Sequence, residues 1–313
     1  MLKMAKGDFE SAMVEKIDFF IVGAPKCGTT ALVKYLGKHS NVFFPPFINR
    51  NVGKIEPNHF ATDLLAPTNP FGRRDYFLSF YSDAPKDSLL GDASVDHLYS
   101  KVAARNIHLY NPKAKIIIML RNPADFLFSY YNEMRWGLAE TKGTIEAALR
   151  SDHCSGERSY KLDYIGYASF AGQVERYLQV FPRDQVLILK FDDFVSRTDH
   201  VYDEVLNFLG LPKFPIDMFE RVNPSKLVRF RALRKLVKKP PRVIVKVVRV
   251  LAPHTQLRNI LRRYANLIET KLNYKVGKLK YSEKTRKELL VRFAPEVLRL
   301  AEVTGLDLAD WQC

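Results

Sequence analysis

Cysteine is scarce in this sequence, and the three present, Cys27, Cys154 and Cys313, stand far apart. They form neither a disulfide framework nor a metal-binding spacing, which points to a reducing compartment. No apolar run approaches the roughly 18 residues of a membrane span. The opening stretch, Met1 to Glu10, is too polar for a secretory signal. These absences lead us to expect a soluble, cytoplasmic protein. A further shortage is local. Residues 226–292 hold 21 Lys/Arg against only 3 Asp/Glu, so that against +15 for the whole chain the remainder is slightly acidic. The basic character belongs to one segment and suits a polyanion, an acidic membrane surface or an anionic ligand. Its apolar residues recur at helical spacing, so it is read as amphipathic surface helices. These are either simply solvated or in weak contact with a membrane surface.

At 313 residues the chain can bury one large core. Residues 1–16 are expected to be a lead-in and 17–313 a single domain. The most informative stretch is 17–30. Ile17 to Val22 is an apolar, β-branched and aromatic run that reads as a buried parallel strand. A glycine-bounded turn follows, Gly23 to Gly28, and Thr29-Thr30 then opens a helical pattern. Strand, glycine loop and helix N-terminus converge N–H groups and a positive dipole end on one anion. The loop departs from the nucleotide triphosphatase form G-x-x-x-x-G-K-[ST], because Thr29 follows Gly28 and the lysine has moved forward to Lys26. The best later strand, Lys115 to Leu120, ends in Arg121 where a magnesium-holding Asp is expected. Cations at both places call for a phosphate-rich ligand bound without a metal.

Further along, helices are expected over Asp75–Tyr81, Val95–Leu109, Ala124–Arg135, Tyr167–Phe181, Asp199–Leu209 and Ser282–Ala301. Strands are expected at 41–46, 89–94 and 186–191. Strands alternating with helices imply an α/β, P-loop-like three-layer fold: a central parallel sheet of about five strands with helices on both faces. Arg121 then sits at the carboxyl end of a central strand, where such sheets bind ligands. Ser129 follows two helical turns later. A guanidinium and a hydroxyl suit a second phosphate on the same ligand.

Phe20 to Thr30 resembles the 5′-phosphosulfate loop of sulfotransferases that use 3′-phosphoadenylyl sulfate (PAPS). Leu120-Arg-Asn-Pro through Ser129-Tyr-Tyr is similar to their 3′-phosphate motif. Gly91 to Ser94, Gln173 to Leu178, Phe191 to Phe194 and the tail around Phe293 and Trp311 add to a likeness with bacterial members related to heparan-sulfate sulfotransferases. The resemblance implies sulfuryl transfer from PAPS to a hydroxyl, less often an amine, with release of 3′,5′-ADP and no metal. Lys26 would offset charge on the departing nucleotide. The run Lys26, Cys27, Gly28, Thr29, Thr30 and Ala31 would hold the 5′-phosphate, and Arg121 with Ser129 the 3′-phosphate. Lys54 to Phe60 is similar to the segment where heparan-type members carry a catalytic Glu. That makes Glu56 the first candidate for general base, with His59 beside it to orient substrate and Asp92 and His97 behind them. Phe126 stands where a second Arg is often found, and Lys275, Lys278 and Lys280 correspond to a late basic loop over the nucleotide.

The acceptor is expected to be a hydroxylated small molecule or a glycan rather than a nucleic acid. Two other readings stay open at this point. One is a kinase-like phosphoryl transferase using the same loop. The other is a polyanion- or membrane-binding protein working through the basic segment.

Overall fold

A computed structural model describes residues 16–45, 56–151, 160–216 and 281–312. Between 217 and 280 it describes 218–219, 226–228, 230–238, 240–241, 243–245, 248, 260, 264–265, 267 and 274–276. The lead-in up to residue 15, the loop at 46–55 and much of the basic segment lie outside the described residues, as do Cys154, Cys313, Lys278 and Lys280.

In chain order the first unit of structure is β1 (Phe19–Gly23), followed by α1 (Thr29–Leu36), β2 (Val42–Phe43), α2 (Arg74–Leu78), β3 (Leu89–Asp92), α3 (Ala103–Tyr110) and β4 (Lys115–Leu120). Next come α4 (Pro123–Trp136), α5 (Ile145–Arg150), α6 (Tyr164–Ala168), α7 (Phe170–Leu178), β5 (Val186–Lys190), α8 (Phe191–Ser196) and α9 (Thr198–Leu209). The last are β6 (Lys226–Val228), α10 (Arg231–Lys238), β7 (Tyr274–Val276) and α11 (Glu283–Thr304).

The main sheet has five strands in the order β2-β3-β1-β4-β5, and every pairing is parallel. This is the α/β, P-loop-like arrangement expected from the alternation of strands and helices. The central strands are apolar along their length because both sheet faces are covered. All five residues of β1 and five of six in β4 are buried. Each such Ile, Leu or Phe contributes about 1.5–3 kcal/mol relative to exposure.

Residue contacts divide the chain into two compact units. The first, Met1–Phe126 with Gly166–Val222 and Leu290–Cys313, contains the five-stranded sheet. The second comprises Leu127–Ile165 and Asn223–Leu289. Within it β6 and β7 pair antiparallel, β6 in a stretch whose pattern read as helical and β7 where the resemblance put a late basic loop around Lys275. Tyr281 stacks on Phe128 at 3.7 Å between ring centroids and donates to the Phe128 carbonyl at 2.7 Å. Arg234 lies 3.5 Å over the Trp136 ring and donates through Nε to the Trp136 carbonyl at 2.7 Å.

Two expected helices are broken. Over 95–109, a 3-10 turn at Val95–His97 precedes α3. The Ser100 hydroxyl accepts from the N–H groups of Val102 (3.2 Å) and Ala103 (3.0 Å), which resets the backbone before α3 starts. Over 167–181, α6 ends at Ala168 and α7 restarts at Phe170, its Ala171 N–H held by the Glu296 carboxylate at 2.6 Å.

Candidate active site

The loop after β1 is shaped by two glycines. Gly23 has φ +154°, and a Cβ there would lie 2.6 Å from Leu98 Cβ and 2.9 Å from the Val95 carbonyl. Only glycine lets the 95–98 turn pack this close, where Leu98 N–H donates to the Val22 carbonyl at 2.8 Å. Gly28 has φ +90° and opens α1 without a side-chain cap. No acidic residue occupies the first turn of α1, so its N-terminal N–H groups and dipole favour an outside anion. Between the glycines, Lys26 is held at φ +65°, a left-handed conformation that costs a lysine about 1–2 kcal/mol. Cys27 is fully buried under the loop, and burial pushes its thiol up to about 12, against the opposing pull of Arg121 and Lys26. It is a neutral packing residue at neutral pH, not a nucleophile.

Arg121 follows the last residue of β4, and its guanidinium lies 4.8 Å from the centre of the Phe191 ring. The same ring approaches within 3.2 Å of the point where a Cβ on Gly28 would stand. Phe191, first residue of α8, is therefore the wall shared by the loop and the strand-end arginine. Arg121 Nε is buried and makes no hydrogen bond among the described residues. A buried, charged donor without an acceptor is costly, and an anion placed there would relieve it.

The turn beyond Arg121 is clipped by the C-terminal 3-10 turn Ala309–Trp311. Asn122 Nδ2 donates to the Trp311 carbonyl at 2.8 Å, Trp311 Nε1 donates to Asp192 at 3.2 Å, and Lys190 pairs with Asp310 at 3.1 Å. Asn122 Oδ1 also accepts from Ala124 N–H at 2.9 Å and caps the start of α4.

On the other side of β1, the carboxyl end of β3 enters a buried polar chain. Asp92 accepts from both the N–H (3.1 Å) and the hydroxyl (3.2 Å) of Ser94. Ser94 Oγ in turn accepts from Asn58 N–H at 3.1 Å, and Asn58 Nδ2 donates to Asp96 at 3.1 Å. Tyr167 completes the chain by donating to Asp96 at 2.9 Å. Half-buried Glu56 is two residues from Asn58, which is anchored to Ser94 just past the end of β3. His59 donates from Nδ1 to the Phe71 carbonyl (2.5 Å) and stacks on Phe77 at 4.4 Å; burial lowers its pKa. His97 is wholly buried, with both ring nitrogens unpaired among the described residues. Burial lowers its pKa to about 3, so its 3.6 Å approach to Asp92 is a contact of a neutral ring, not an ion pair.

The structure thus gathers Lys26 to Ala31, Arg121, Glu56, His59, Asp92 and His97 in the unit built on the parallel sheet. Ser129 lies half-buried on α4, in the second unit. Phe126 is buried against Phe170, at 5.1 Å between centroids. Sequence reading gave no supporting role to Asn58, Ser94, Asp96 or Tyr167: Asn58 and Ser94 lie inside stretches it singled out, but hydrogen bonds between residues so far apart in the chain carry no signal.

A five-stranded parallel sheet with a glycine loop and a strand-end arginine defines an α/β protein suited to phosphate-bearing ligands. The chain belongs to the sulfotransferase domain family, whose sequence profile matches residues 16–236. Its fold is similar to that of a sulfotransferase from Alicyclobacillus acidocaldarius. The TM-score is 0.69 at 24% identity, covering 96% of this chain and 100% of that one. It is 25% identical over 226 residues to the bifunctional heparan sulfate N-deacetylase/N-sulfotransferase 1 of Caenorhabditis elegans, covering 69% of this chain and 24% of that protein. The Mus musculus protein of the same name is 30% identical over 200 residues, covering 61% of this chain and 22% of its own length. The chain therefore spans about a quarter of these relatives.

Proposed function

We propose that this chain is a sulfotransferase that moves a sulfuryl group from PAPS to a hydroxyl or amine of a glycan acceptor, within one catalytic domain over 17–313. The observation that carries the reading is the buried, unsatisfied Nε of Arg121 beside the uncapped start of α1. When bound, PAPS supplies the sulfuryl group and its leaving nucleotide, 3′,5′-ADP. The N–H groups and hydroxyls of Gly28 to Ala31 hold the 5′-phosphate, and Arg121 with Ser129 holds the 3′-phosphate. Lys26 places its ammonium where negative charge grows on the departing side, a transition-state interaction. Glu56 takes the acceptor's proton. His59, tied to the Phe71 carbonyl and stacked on Phe77, holds the 56–60 segment in place. The heparan sulfate in the relatives' names supports a glycan acceptor, as does the basic segment. The kinase-like alternative loses ground to the family match and to Arg121 at the end of β4.

The test is thermal melting with 3′,5′-ADP and with ATP plus magnesium. A ligand that binds only the native state raises the melting temperature. We expect 3′,5′-ADP to do so and Arg121→Ala to abolish the shift; a preference for ATP with magnesium would sink the assignment. Glu56→Gln should keep the shift while removing transfer of labelled sulfate to an unsulfated glycan. Unchanged transfer would move the base to His59, Asp92 or His97.

A further inference from the structure

In the segment that carries Glu56, Asn58 is tied at main chain and side chain alike. Its backbone sits at φ +51°, in the left-handed region that asparagine tolerates better than most side chains. Its carbonyl accepts from Ala61 N–H at 2.9 Å, which closes the turn. Its N–H donates to Ser94 Oγ, and the single proton of that hydroxyl goes on to Asp92, so the chain of bonds has a fixed direction. Its Nδ2 donates to one oxygen of Asp96, while the Tyr167 hydroxyl donates to the other. Asn58, Asp92, Ser94, Asp96 and Tyr167 are all buried, and all belong to the unit built on the parallel sheet.

The turn alone does not need this residue, because glycine adopts a positive φ freely. Asparagine here also carries a cost: its Oδ1 is buried without a hydrogen bond among the described residues. What it gains is the Nδ2 bond to Asp96, which a glycine would forgo. The residues before it transmit that grip. Pro57 is buried and its ring fixes φ, and a residue that precedes proline is biased to extended backbone. Glu56 therefore hangs from Asn58 by a short arm in which few torsions stay free.

We propose that Asn58, clamped by Asp96 and Tyr167, is a positioning residue that fixes Glu56 for removal of the acceptor's proton. The proposal rests on Glu56 being the base of the sulfuryl-transfer reading. Asp96 itself moves no proton, since each of its oxygens already accepts from a neutral donor in the protein interior. The clamp matters because a displacement of about 1 Å at a reacting group can cost ~100-fold in rate. Asp96→Asn keeps the arrangement: the new carbonyl oxygen accepts from Asn58, and the new amide donates to the Tyr167 oxygen. Asp96→Ala breaks it.

Two measurements on the full chain test this. In the free protein, hydrogen–deuterium exchange of the 58–61 amides should speed up by about tenfold or more in Asn58→Gly and in Asp96→Ala, with 23–31 unchanged. A retained melting shift with 3′,5′-ADP shows that the variants fold. Tyr167→Phe, which removes only one donor to Asp96, is the milder probe should Asp96→Ala not fold. With PAPS and an unsulfated glycan, kcat should fall by about tenfold or more in both variants at unchanged KM for PAPS, and Asp96→Asn should recover most of it. In a Glu56→Gln background Asn58→Gly should cost nothing further, because the group it positions is gone. Unchanged exchange overturns the clamp. An equal fold-loss from Asn58→Gly with and without Glu56 overturns the positioning role, as does an Asp96→Asn variant no better than Asp96→Ala. If the wild type transfers nothing, or transfer survives Glu56→Gln, the sulfuryl-transfer reading or its base assignment fails and this role falls with it. Accelerated exchange with intact 3′,5′-ADP binding separates that failure from failure of the clamp.

Discussion

At the scale of single residues, Lys26 answers to two demands at once. Its backbone is bent into a left-handed turn that glycine would adopt freely, yet the position keeps a cation. If the ammonium serves the transition state, Lys26→Ala should lower turnover by at least about a hundredfold. The melting shift with 3′,5′-ADP should survive, since the product has already lost the sulfate. Lys26→Gly removes the same charge but relieves the strained φ. It should lose as much turnover and unfold with ~1 kcal/mol more stability than the alanine variant, measured by chemical denaturation. Lys26, Gly28 and Arg121 were legible in the sequence because a loop's glycine spacing and a strand-end arginine are local signals. The roles of Ser94 and Asn58 were not, because their hydrogen bond joins the Asn58 main-chain N–H to a serine hydroxyl 36 residues away.

Secondary-structure elements were legible where one demand sets the residue choice over a whole run. Strands β1, β4 and β5 must be apolar on both faces, so each reads as a continuous block. The hairpin of β6 and β7 has three residues a side, joined across nearly fifty positions, too short for any periodicity. At the break between α6 and α7 the Ala171 N–H is held by Glu296, which is supplied by a distant helix. The C-terminal clip shows the same long reach, because Trp311 is bound to Asn122 and Asp192 rather than to its sequence neighbours. If the clip steadies the Arg121 turn, Trp311→Phe should keep the packed ring and lose the N–H bond to Asp192. The expected cost is ~1 kcal/mol of stability with a few-fold weaker affinity for 3′,5′-ADP. Trp311→Ala should cost about 3–5 kcal/mol, since a large buried side chain is removed. An unchanged nucleotide affinity in both variants would reduce the clip to a purely packing role.

For the molecule as a whole, the buried polar chain behind the loop links stability to pH. His97 is neutral in the folded protein, with burial lowering its pKa from 6.5 to about 3. It faces Asp92 and His59, its carbonyl accepts from the Tyr177 hydroxyl at 3.0 Å, and Phe60 packs edge-on against its ring. Unfolded chains protonate this histidine below its ordinary pKa, while folded chains do not. The unfolded state therefore binds more protons between about pH 6.5 and 3, and stability falls as the solution is acidified through that window. The slope approaches ~1.4 kcal/mol per pH unit for one such group. His59, whose pKa burial also lowers, acts in the same direction. Urea unfolding between about pH 6.5 and 5 keeps most carboxylates ionised and isolates the histidines. Wild type should lose stability steadily across that interval, and His97→Phe should flatten the slope while leaving that due to His59. An identical slope in the two proteins would mean that His97 takes up its proton at the same pH folded and unfolded, and a wild-type slope smaller than that of His97→Phe would mean that His97 is held protonated, paired with Asp92 as a true ion pair. The pH dependence of sulfate transfer would then follow that pair as well as Glu56.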